Sequence, residues 1–187
     1  MRVLVILPSL LVAALMAGCP PIETKIPSSE TFTVPGSGIV GENPLAPELA
    51  FPADVVGEAL AQAVQQSFDT SGYDKGAVKS LKLSAMSLTV VEPNQGAAQV
   101  RDLGFLRSLA VSLGDGESDP ILVAQSAEGA FDSDPIEYDV PLTGAELADT
   151  FKRSNALEMT ADVVPDSQPQ FATEVRVDAE MTVQIGL

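Results

Sequence analysis

The sequence predicts a mainly β chain: an antiparallel two-sheet β-sandwich, immunoglobulin-like in architecture, with one N-terminal helix and one short connecting helix. Three observations carry this expectation. From Val78 onward, apolar residues recur at period two, not 3.6. Turn signals rich in Gly, Pro, Asp and Ser separate these runs at intervals of about ten residues. The last stretch, residues 171–187, alternates apolar and polar, with Thr173 the one polar residue in the odd-numbered apolar register.

Taken in order, the first regular element is a helix over 54–68. Val56, Leu60, Val64 and Phe68 fall on one helical face, with Ala63 beside them. Ala, Glu and Gln fill the other positions and favour helix, and Gly72 marks its stop. A strand follows whose phase slips. Leu81, Leu83 and Ala85 occupy odd positions, whereas Met86, Leu88 and Val90 occupy even ones. A one-residue slip would flip the buried face, so a β-bulge is expected near the Ala85–Met86 junction. Pro93-Asn94-Gln95-Gly96 then turns the chain.

Residues 105–113 read as the next strand, with Leu109, Val111 and Leu113 on one side. After a turn over 114–119, Asp119-Pro120 introduces a strand over 121–125, and Asp134-Pro135 introduces another. There Ile136, Tyr138, Val140 and Leu142 alternate with Glu137, Asp139 and Pro141. Pro141 has no N–H for a ladder, which places that strand at an edge or ends it. Thr143 and Glu146 have the spacing of a capping box, and Leu142 and Leu147 that of a hydrophobic staple. With Lys152 and Arg153 suited to a helix C-terminus, they predict a short helix over 143–152. Leu157, Met159, Ala161 and Val163 give a strand, and 166–169 a turn. Residues 171–187 form one long strand or two halves bent near Ala179.

The N-terminus is of another kind. Arg2 precedes an apolar run over 3–15, and Met16-Ala17-Gly18-Cys19 follows. The run is shorter than the roughly 20 residues that span a bilayer and contains Pro8. A basic start followed by a short apolar run matches a secretory signal. The segment resembles the lipobox signal peptide of bacterial lipoproteins, with Met16 where leucine is more usual. The resemblance covers residues 1–19 alone. It implies cleavage before Cys19, lipidation of its thiol and new amino group, and a lipid-anchored place in the bacterial cell envelope, with the outer membrane favoured over the inner. The expected organisation is a signal peptide over 1–18, a lipidated Cys19 and Pro/Gly/Ser-rich tether over 19–48, and one β-rich domain over 49–187. Pro20, Pro21, Pro27, Pro35, Pro44, Pro47 and Gly36-Ser37-Gly38 support the tether. Thr31-Phe32-Thr33-Val34 is a piece that would instead add a strand to the domain.

Cleavage would remove one charge, Arg2, leaving 9 basic and 26 acidic residues and a net of 9 − 26 = −17. That balance, without a run of Lys or Arg, argues against nucleic-acid binding. It argues equally against a polybasic grip on anionic lipid, so the acyl chains on Cys19 would do the anchoring. A lipidated Cys19 leaves no disulfide in the mature chain.

The absence of histidine removes Ser-His-Asp and Cys-His catalysis and imidazole-based zinc sites. Paired carboxylates are common here, but glycoside hydrolysis also needs a cleft with stacking aromatics. The chain has no Trp, two Tyr and seven Phe. Calcium is the one ion with residues to offer. Asp115, Glu117 and Asp119 share a turn, and Asp132 and Asp134 share another. The twelve-residue loop with a terminal Glu is missing from both, and the same residues serve as turn formers and strand initiators. They become ligands only if the two turns converge. No catalytic residue and no cofactor are expected.

The function expected is therefore that of a membrane-anchored envelope lipoprotein with a non-catalytic β domain, used for interaction with an envelope protein or for a structural role. A carrier of lipid or a small apolar ligand is the alternative, and needs a cavity of roughly 300 Å³ or more. A carboxylate-dependent hydrolase is the third, and needs two facing acids with one in an apolar setting.

Overall fold

The C-terminal alternation folds as one strand inside a four-stranded sheet. The computed structural model describes residues 21–36, 53–72, 74–92, 101–154 and 157–186. The lipobox residues, the tether beyond Gly36 and the 93–96 turn lie outside the described residues. In chain order the elements are β1 (Ile22–Val34), α1 (Ala53–Ser71), a 3-10 turn (Lys75–Ala77), β2 (Val78–Val90), β3 (Leu106–Gly114) and β4 (Ile121–Gln125). Then come β5 (Glu137–Asp139), α2 (Ala148–Arg153), β6 (Glu158–Pro165) and β7 (Thr173–Ile185).

They build two sheets, four-stranded in the order β1-β7-β2-β5 and three-stranded in the order β4-β3-β6. All pairs are antiparallel. The fold is the expected two-sheet sandwich. Odd-numbered side chains of β7, from Thr173 to Ile185, point inward and are at most 4 % exposed. One contiguous cluster fills the space between the sheets, with Leu81, Leu88, Leu109, Leu113, Phe131 and Met181 among its most buried members.

The tether expected over 19–48 is corrected for its first part. Residues 22–34 pair along their whole length with β7, Ile22 opposite Ile185 and Val34 opposite Thr173. Even positions face the interior, but only Ile26 and Val34 are fully buried, and Thr24, Ser28 and Glu30 are half-buried. An edge strand needs few apolar residues on its inward face, and it tolerates Pro27. That is why its alternation reads as polar, Pro-containing linker.

The slip in β2 is a bulge, as expected. Leu83 pairs with Met181 and Ala85 with Glu180, so Ser84 is the extra residue. Ser84 and Ala85 are both exposed, after which Met86, Leu88 and Val90 return to the core. A second shift at Lys79 lies between Val78 and Ser80.

Both flanks of the sandwich are closed. On one, α1 lies against β1 of the first sheet and β6 of the second. Its stripe Leu60, Val64 and Phe68 is buried, each residue worth about 1.5–3 kcal/mol of burial. On the other flank the chain crosses between sheets. Val140 N–H donates to Met86 O in the first sheet, and Gln125 N–H donates to Pro141 O in the second. The strand expected over 136–142 is thus a three-residue edge strand, β5, that stops short of Pro141. Ile136 is 50 % exposed.

The capping box is also corrected. Helix α2 begins at Ala148 with Leu147 as its N-cap, whose own side chain makes no capping hydrogen bond. Thr143 Oγ1 donates to Leu122 O at 2.7 Å and accepts from Ala145 N–H at 3.3 Å. Glu146 reaches across to β2, where its carboxylate accepts from Leu81 N–H at 2.7 Å and Ser80 Oγ at 2.6 Å. It also accepts from Ala148 N–H at 3.0 Å. Leu142 is 36 % exposed while Leu147 is fully buried, so the staple does not form either. Leu147 N–H donates to Leu81 O, which fastens the helix start to β2.

Two stability effects follow. Gly57 of α1 meets β6 so closely that a Cβ there would lie 2.5 Å from Met159 Cβ. Gly57→Ala is expected to destabilise the fold by about 1–3 kcal/mol in urea unfolding, although Ala is intrinsically the better helix former. Glu146→Ala, which strands the Leu81 N–H, should cost about 1–2 kcal/mol. A double-mutant cycle with Thr143→Ala should show near-zero coupling, where a capping box would give a clear one.

Candidate functional site

The outer face of the four-stranded sheet is a field of short polar side chains in register. One row runs Ser29, Asp178, Ser87, Asp139 across β1, β7, β2 and β5. The next runs Pro27, Glu180, Ala85. Because these side chains are small, the two rows sink into a groove of about 440 Å³ between Pro27–Ser29 on one side and Asp139 on the other. The bulge at Ser84 contributes by turning Ala85 outward.

Three carboxylates line this groove: Asp139, Asp178 and Glu180. Asp178 accepts from Ser29 Oγ at 2.5 Å and from Arg176 Nε at 2.8 Å. Glu180 accepts from Lys25 Nζ and from Ser84 Oγ, each at 3.0 Å. The Lys25 ammonium above all, with the Ser84 hydroxyl, holds the Glu180 carboxyl below the usual range. That is the opposite of what a general acid needs. The groove is open, acidic and shallow. It lies outside the sandwich, whereas the buried cluster fills the space between the sheets.

The acidic turns do not come together. Asp115 directly follows the last residue of β3, while Asp134 lies against Gly104, two residues before its start. The nine residues of β3 separate them, roughly 30 Å at strand rise. Among the described residues no group of three or more His, Cys, Asp or Glu is placed to hold a metal ion. Glu117 and Asp119 stay in the Asp115 turn, and Asp132 stays with Asp134.

Asp115 instead locks its own turn to α2. Its side chain, 3 % exposed, accepts from Ser118 N–H at 2.8 Å, Glu117 N–H at 3.2 Å and Arg153 Nε at 3.1 Å. The Ser118 N–H is the largest influence. Burial opposes it, but Arg153 and Glu117 N–H reinforce it, and the carboxyl is lowered from 3.8 to about 2. Sequence reasoning assigned Arg153 to the helix terminus and missed this pair, which is 38 residues apart along the chain.

At the other end of β3, Asp102 accepts from Gly104 N–H at 2.9 Å. Burial, with a further push from Asp134, raises the Asp102 carboxyl although the Gly104 N–H opposes it. Asp134 holds a left-handed backbone at φ 51°. Asp102 thus spends an oxygen on an Asx turn that opens β3.

No family model matches this chain, and no curated protein matches it.

The pH dependence of Asp115 has a defined sign. Its folded pKa lies below the ordinary value, so its contribution is present above about pH 4 and is lost as pH falls through about 2. Asp115→Asn should lower the midpoint of thermal unfolding at pH 7. The gap from wild type should narrow progressively between pH 4 and pH 2.

Proposed function

We propose that this chain is a lipoprotein of the bacterial cell envelope, anchored by acyl chains on Cys19, whose β sandwich is non-catalytic and works by contact with another envelope protein. The observation that supports this most is the form of the groove. It is open and carboxylate-lined on a polar sheet face, over an interior filled by side chains. An enclosed apolar cavity would suit a carrier of lipid or small apolar ligand. A shallow, open groove suits a partner's surface or an extended segment laid across the strands. Asp115, Glu146, Asp178 and Glu180 serve hydrogen bonds and ion pairs that hold turns and neighbouring strands together. Among the described residues no helix is long and apolar enough to cross a membrane, and the anchoring falls to Cys19 in this reading.

The test combines membrane fractionation with crosslinking in the native cells. Wild type should sediment with membranes, carry acyl chains on Cys19 and crosslink to a defined partner. Cys19→Ser should shift to the soluble fraction. Ser87→Arg, which fills the groove, should keep the membrane location and reduce the crosslink about tenfold. A mature protein beginning upstream of Cys19, or crosslinking indifferent to Ser87→Arg, would sink the proposal.

A further inference from the structure

We infer that the free edge of β1, from Ser29 to Thr33, pairs with the same edge of a second copy of this chain, antiparallel about a two-fold axis at Thr31. The inference needs neither the anchor nor the groove. The ladder fixes which backbone groups of β1 are spare. Val91 N–H donates to Glu174 O, so the even-numbered residues of β7 bond toward β2. In an antiparallel strand alternate residues bond to opposite sides. The odd-numbered residues of β7 therefore bond β1, and their partners in the register are its even-numbered residues, from Ile22 to Val34. The odd-numbered residues of β1 thus point their N–H and C=O groups away from the sheet. Pro27 fits this, because its missing N–H falls on the outer side and its pairing with Glu180 continues without a shift. Among the described residues no hydrogen bond reaches the N–H groups of Ser29, Thr31 or Thr33. Helix α1 also lies against β1, yet these three residues are exposed. The other edges offer less. β5 has three residues, β4 is bonded on its outer side by residues 141–143, and β6 meets Gly57 of α1 at Met159.

Two prolines choose the partner. Pro27 and Pro35 stand four residues on either side of Thr31. A two-fold axis at Thr31 sets Thr31 opposite the second copy's Thr31, Ser29 opposite its Thr33, and Pro27 opposite its Pro35. The residues without a donor then face each other at the two ends. Every donor between them finds an acceptor, about six hydrogen bonds in all. An axis at Ser29 or at Thr33 would set a proline opposite Thr31 and leave bonds unmade. Between the prolines the edge is rich in β-branched residues, and its Thr–Thr and Ser–Thr pairs on the outer face suit adjacent strands. The chain's net charge of −16 works against pairing of copies. Glu30 is the one charged residue between the prolines, and about this axis it stands opposite the second copy's Phe32, not another carboxylate. Lys25, of the kind that guards an edge, lies beyond Pro27. Such self-complementary pairing is the isologous contact of a two-fold dimer. It joins the two four-stranded sheets into one, with both grooves on the same face.

The test is the mass of the full chain in detergent by light scattering, at about 0.15 M salt, where charge is screened beyond about 8 Å. Wild type should run at twice the mass of one chain. Thr31→Lys and Thr31→Glu each set like charges opposite one another on the axis, and each should weaken the dimer by about fivefold or more. An equimolar mixture of the two variants should restore it, which also shows that both fold. In hydrogen exchange the amides of Ser29, Thr31 and Thr33 should gain protection as the dimer forms. A wild-type mass other than that of two chains, a dimer indifferent to Thr31→Lys, a mixture that restores nothing, or protection of these amides in the single chain overturns the inference.

Discussion

Strand β7 pairs with β1 on one side and β2 on the other along nearly all of its thirteen residues. Its inward side chains supply one wall of the core, and its outward ones supply the centre of the groove. Both assignments follow from the same period of two, so a slip of one residue would exchange core and groove together. The alternation from Thr173 to Ile185 is strict enough to prevent this. Every inward residue but Thr173 is apolar, and Thr173 settles its hydroxyl on Phe171 O at 3.0 Å. The first and last strands among the described residues are therefore neighbours.

The groove depends on that register and on the bulge beside it. Across from the regular β7, β2 carries one residue too many at Ser84. Without it, Met86, Leu88 and Val90 would point outward and the groove floor would be greasy. With it, Ala85 and Ser87 face out, and Ser84 Oγ bonds both the backbone O and the carboxylate of Glu180. The extra residue thus keeps the core intact and also shapes the face. Bulges recur at such positions because they re-aim side chains without ending the pairing.

Much of this was legible in the sequence. Strict alternation located β7, phase slip located the bulge, and four-residue spacing located α1, because each is a local pattern enforced by a one-sided core. Strand β1 was hidden because its inward face is only partly buried, and Thr24, Ser28 and Glu30 there imitate a linker. The spacing of Thr143 and Glu146 suggested a cap, but Glu146 found a stronger set of donors on β2. Tertiary partners of this kind leave no mark in local spacing. The Asp115–Arg153 pair and the four-strand row from Ser29 to Asp139 were illegible for the same reason. Each joins residues far apart in sequence, and only the strand order reveals them.

The correction to β1 alters more than a boundary. A flexible tether of about thirty residues would let a domain sample many orientations and many distances from its anchor. A strand that starts three residues after Cys19 allows few. Were Cys19 acylated as proposed, the start of β1 would be held within about 10 Å of the anchor. A short attachment of that kind would confine the domain before any encounter, which lowers the entropy that association must overcome. The pairing of Ile22 with Ile185 thus bears on any such attachment as well as on the sheet.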